Sequence, residues 1–103
     1  MSNKKFSKAE RERNRDIVGS YHKKVTEEEL QGLFNDFMLW KNGDMPYYDL
    51  TEKIHEFHKV NQKIWSKFNL NGWDDFLLVL EAKKELDLLT EDEKIEYAHW
   101  LRD

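Results

Sequence analysis

Two stretches of this chain carry the pattern Glu-x-x-His: Glu52-Lys53-Ile54-His55 and Glu96-Tyr97-Ala98-His99. On a helix, residues three apart share a face. Two such pairs, with one Glu from each of two further helices, form the ligand set of di-iron carboxylate bundles. Glu28 or Glu29, and Glu81 or Glu85, are the carboxylates that could complete it. A metal-dependent enzyme is therefore one reading, and geometry opposes it. At about 100° per residue, Leu50, Ile54, Phe57, Asn61, Ile64 and Phe68 form one stripe, and the midpoint of Glu52 and His55 lies roughly opposite. Glu96 and His99 lie beside the Ile95–Ala98 face rather than on it. Ligands of a metal in a bundle core must point inward, so no metal and no other cofactor is expected.

His55-Glu56-Phe57-His58 is a near miss of a second kind. The zincin helix needs His at i and i+4 so that both imidazoles reach one metal; here the spacing is three and Lys59 stands at i+4. His58 sits at the edge of the apolar stripe, where a histidine usually serves as a boundary residue. Ser2, Ser7 and Ser20 fall near the N-terminus and Ser66 mid-helix, none beside a base that would activate it. The glycines at 19, 32, 43 and 72 are isolated, so no phosphate-binding loop is encoded. No catalytic residue is assigned.

Charge supplies another signal. Residues 1–25 hold eight Lys or Arg against three Asp or Glu, and residues 26–103 hold nine against eighteen. The pattern reads as a basic N-terminal arm (1–25) on an acidic helical body (26–103), one domain overall. On a helix, Lys4, Lys8, Arg11 and Arg15 fall along one side, a spacing suited to phosphate contacts. The alternative is an arm solvated or laid on the protein's own acidic body. Lys53, Lys59, Lys63 and Lys67 interrupt the acidity of the body too often for a DNA mimic.

Surplus aromatic and apolar residues point to a partner surface. Tyr48 leaves the Leu50–Phe68 stripe, and Tyr97 and Trp100 fall away from the Ile95 face. Phe76-Leu77-Leu78-Val79-Leu80 is apolar on nearly all sides, so that Val79 and Leu77 point in different directions. Such a segment is either central or faces another subunit. Tyr48, Val79, Tyr97 and Trp100 are the candidate contacts.

The elements that would hold these residues are helices. With one Pro, four Gly and only eleven β-branched residues among 103, good helix formers dominate. Ser7-Lys8-Ala9-Glu10, Thr26-Glu27-Glu28-Glu29 and Thr90-Glu91-Asp92-Glu93 each fit the capping box. From Glu10 to Asp16 no residue is apolar, which predicts a solvated or frayed helix with nothing to bury. Leu30, Leu33, Phe34, Phe37 and Met38 follow at amphipathic spacing until Asn42-Gly43 stops the helix. A third helix is expected from Asp49 as its cap, a fourth over Trp73–Leu89, and a short one from Thr90 to about Leu101. The fold expected is all-α: a compact bundle of about four to five helices with a basic N-terminal helical arm.

The absence of cysteine excludes disulfides and thiolate chemistry and fits a reducing cytoplasm. The reading with most support is a non-catalytic helical protein that binds another protein, self-association into a homodimer being one form of this. A nucleic-acid-associated protein using the basic arm is the alternative, and a metal-dependent enzyme comes third.

Overall fold

The computed structural model describes residues 7–70 and 72–98, and among them every regular element is helical. Four helices follow one another: α1 (Lys8–Lys41), α2 (Tyr47–Asn69), α3 (Phe76–Glu85) and α4 (Glu91–Glu96). None is long and apolar enough to cross a membrane.

α1 begins where the sequence places it. Ser7 Oγ accepts from the Glu10 N–H at 3.0 Å, and the Ser7 N–H donates to the Glu10 carboxylate at 2.8 Å. It then runs unbroken for 34 residues, through the second start expected at Thr26. Ion pairs Lys23–Glu27 (3.4 Å) and Lys24–Glu28 (3.2 Å), each four apart, span that point and favour continuation. The Thr26 hydroxyl caps nothing: it is buried without a hydrogen-bond partner. The true end is a Schellman motif. Gly43 takes φ 86°, its N–H donates to the Trp40 carbonyl, and the Asp44 N–H donates to the Leu39 carbonyl at 2.8 Å.

α2 starts two residues before the expected cap. Pro46 holds the N-cap position with extended backbone, and Asp49 lies inside the first turn, where a carboxylate favours the helix dipole. α3 is shorter than expected at both ends. Asp75 caps it by accepting from the Leu78 N–H at 3.2 Å. It stops in a second Schellman motif, with Asp87 at φ 59° and the Leu88 N–H donating to the Lys83 carbonyl at 2.7 Å. α4 opens with the predicted capping box, Thr90 and Glu93 satisfying each other's backbone N–H. Its expected extension to Leu101 lies outside the described residues.

The chain forms two compact units. The first combines residues 1–21 with 71–103 and buries Val18, Tyr21, Leu78, Val79, Leu80 and Ala82. It also buries Asn14, at 7% exposure, which corrects the expectation that residues 10–16 have nothing to bury. The second unit, His22–Leu70, is a helical hairpin made of the C-terminal part of α1, the Gly43 turn and α2. Leu50 and Phe68 are its buried apolar side chains.

Candidate functional surfaces

The hairpin unit has two unlike sides, and helical spacing determines which residues each receives. Leu33, Phe57 and Ile64 lie half-buried along the line where its two helices meet. One side carries a shallow groove of about 260 Å³, lined by Glu29, Gly32 and Asp36 of α1 and by Lys53, Glu56 and Val60 of α2. Its walls carry both signs of charge.

The opposite side is apolar and open. Leu30, Phe34, Phe37 and Met38 fall within one sector of α1, and Ile54, Trp65 and Tyr47 fall within the matching sector of α2. Their exposure runs from 38% at Ile54 to 70% at Tyr47, with Phe34 at 56%. The five-residue amphipathic pattern of α1 (Leu30, Leu33, Phe34, Phe37, Met38) thus buries little of itself within its own unit. At one end of this side, His22 packs edge-on to Phe68 (ring centroids 4.9 Å apart) and tilted against Trp65 (4.6 Å). Desolvation of its ring pushes the His22 pKa below its ordinary value.

The first unit contains a cavity of about 250 Å³, with Arg13, Asn14, Phe76, Lys83, Glu93 and Tyr97 in its lining. Lys83 and Glu93 meet at 3.0 Å and offset each other's charge. The Thr90 backbone N–H, then the Lys83 ammonium, hold the Glu93 carboxyl below its usual range against the opposing effect of partial burial. Phe76 and Tyr97 stack edge to face at 5.4 Å. Among the described residues, the lining holds no Ser, Cys or His.

The residues singled out in sequence meet different fates. Lys8 and Arg11 are exposed on α1, while Arg15 is drawn to Asp74 at 3.6 Å. Lys4, Trp100 and His99 lie outside the described residues. Tyr48 is exposed and stacks edge to face on Tyr47 at 5.6 Å. Val79 is buried at 6% exposure, whereas Leu77 stands about half open, so the all-round apolar character of α3 resolves into a covered side and an open one at Leu77. The face assigned to α4 is reversed: Ile95 is exposed and Tyr97 half-buried. Glu93 and Tyr97, four residues apart, turn together toward Lys83 and Phe76 and leave Ile95 to solvent. Glu52 and His55 are exposed, and among the described residues no three His, Cys, Asp or Glu side chains cluster as metal ligands would.

The open apolar side of the hairpin is not singled out by sequence: the α1 pattern and the α2 stripe mark apolar faces without saying what covers them. The signal available is that two helices of this length expose more apolar surface than they can cover on each other. Compared with protein-family models, with curated proteins and with solved structures, the chain matches none of them.

Proposed function

We propose that this protein is a non-catalytic docking module that binds another protein through the open apolar side of its helical hairpin. The observation that carries the reading is the row of half-exposed side chains Leu30, Phe34, Phe37, Ile54 and Trp65 on a single side. Contiguous apolar patches beyond a few hundred Å² are uncommon on monomers and mark interaction sites. Large aromatics at such a site are favoured anchors, since they bring much apolar area at small entropic cost. On this reading the compact bundle with its basic N-terminal arm is completed by the partner, whose helices cover the hairpin. The cysteine-free composition supports a cytoplasmic setting.

Site-specific photocrosslinking tests the proposal. A photoreactive amino acid at Phe34 should yield a covalent adduct in cells of the native host. The same group at Leu39, about 140° away on α1 and also exposed, should not. Equal adducts at both positions, or none at Phe34, would reject the docking surface.

A further inference from the structure

We propose that the occupant of this apolar side is a second copy of the chain, seated head to tail so that two hairpins form an antiparallel four-helix bundle. The inference rests on the docking reading above and names its partner.

Area is the first ground. Aromatic side chains bury roughly 150–250 Å² each, so half-exposed Phe34, Phe37, Trp65 and Tyr47 with Leu30, Met38 and Ile54 offer on the order of 600 Å². A stable interface takes roughly 800 Å² per partner, a little over half of it apolar. The open side therefore supplies the apolar area that one half of an isologous dimer needs.

Self-complementarity is the second ground. A two-fold axis across the hairpin must relate residues at equal distances from its middle. Leu30 and Phe34 flank the middle of the α1 limb, and Ile54 and Gln62 flank His58 at the middle of α2. Head-to-tail seating places Leu30 on Phe34 of the second copy and, by the same operation, Phe34 on Leu30. Large residue meets smaller residue twice.

Charge fixes the direction. The first half of α2 carries Asp49, Glu52 and Glu56, and the second half carries Lys59, Lys63 and Lys67. Lys53, within 3.8 Å of Glu56, is the exception. On α1, Lys23 and Lys24 are matched by Glu27 and Glu28, so α2 sets the polarity of the hairpin. Head-to-tail seating brings the acidic half of one α2 level with the basic half of the other. Seating with both turns at one end would bring like charges level. Glu52 and Lys59 lie on the outer flank of α2 and Asp49, Glu56, Lys63 and Lys67 nearer its grooved side, so charge acts at longer range and sets orientation more than strength.

The test uses purified full-length chain. Sedimentation equilibrium from about 1 to 100 µM should give twice the chain mass. Phe34→Glu should weaken the dimer at least about thirtyfold, the scale of a central interface anchor, while far-UV circular dichroism stays helical. Leu30→Glu serves as a second variant if the first loses helix. Orientation is read from a spin label at Asp44→Cys, unique because the chain has no cysteine. The hairpin is about 35 Å long at ~1.5 Å per residue, so head-to-tail seating predicts a label separation above about 30 Å.

A separation below about 20 Å would place the turns together and overturn the arrangement. A monomer at 100 µM, or a dimer indifferent to both glutamate variants, would overturn the second copy as occupant. If the chain is monomeric while Phe34 still crosslinks a different protein, the docking reading stands without self-association. If Phe34 crosslinks nothing, both fall.

Discussion

The phenol of Tyr21 on α1 donates a 2.5 Å hydrogen bond to a carboxylate oxygen of Glu81 on α3, sixty residues further along the chain. Both residues belong to the first unit, and Tyr21 is buried there. This bond ties the N-terminal helix to the apolar segment Leu78–Ala82, a contact that no local sequence pattern encodes.

Removing the hydroxyl tests its weight. Hydrogen bonds to charged groups typically contribute roughly 1.5–3 kcal/mol, less when partly exposed. Tyr21→Phe is therefore expected to cost about 1–2 kcal/mol in urea unfolding. A double-mutant cycle with Glu81→Gln should recover most of that as coupling. Additive single effects would mean that the bond contributes nothing to stability.

Two backbone positions call for opposite substitutions with the same expected effect. Asp87 ends α3 in the left-handed region at φ 59°, which suits glycine better than any L-residue. Gly32 sits inside α1, and a Cβ there would meet nothing within 4 Å. Asp87→Gly and Gly32→Ala should each stabilise by roughly 0.5–1 kcal/mol, raising the melting temperature. Gly32→Ala also probes the charged groove, since destabilisation there would show that the groove tolerates no added methyl group.

These positions show what was legible in sequence and what was not. Ser7-x-x-Glu10, Thr90-x-x-Glu93 and Asn42-Gly43 act as expected because a cap or stop depends on atoms within a few residues. Thr26-Glu27-Glu28-Glu29 carries the same pattern and fails, because the ion pairs from Lys23 and Lys24 hold the helix through it. Asn14 shows the converse: a polar residue in a stretch without apolar neighbours is buried by contacts distant in sequence. The stripes on α1 and α2 are plain in the sequence, yet periodicity states only that a face is apolar, not that anything covers it. Exposure of Leu30 and Phe34 follows from how few helices share the hairpin unit, a tertiary fact.

His22 predicts a pH dependence. Its ring is packed between Trp65 and Phe68, and burial lowers its pKa from 6.5. The unfolded chain takes up a proton on this side chain as pH falls through 6.5, while the folded chain resists. The stability contributed is complete above about pH 6.5 and is lost as pH falls toward the folded value. The unfolding midpoint should thus drop more between pH 7.5 and 5.5 in the unaltered protein than in His22→Phe. Parallel curves for the two proteins would remove His22 from the pH response. Acid losses from Glu93, whose pKa is also lowered, belong to a lower window, since its stabilisation is lost only as pH falls below the ordinary carboxylate range.

The N-terminal segment separates folding from nucleic-acid binding. Deleting residues 1–16 removes the Ser7–Glu10 cap, the Arg15–Asp74 ion pair and buried Asn14. A lost cap costs about 1 kcal/mol, a surface ion pair at most about as much, and a lost buried contact adds to both. The deletion should therefore lower the melting temperature by roughly 10 °C, at 4–8 °C per kcal/mol for a domain of this size. Lys8→Ala with Arg11→Ala changes only exposed side chains of α1 and should leave the melting temperature within about 1–2 °C, the usual small effect of surface substitutions. That pair, rather than the deletion, is the proper probe of phosphate contacts. A chain that uses its basic N-terminal segment on DNA or RNA must bind at low salt, lose affinity steeply as salt rises, and show a shallower salt dependence in Lys8→Ala/Arg11→Ala, by about one per lost phosphate contact. An unchanged salt slope in that variant would take Lys8 and Arg11 out of any nucleic-acid interface and leave the segment the structural role that Asn14 and Arg15 already give it.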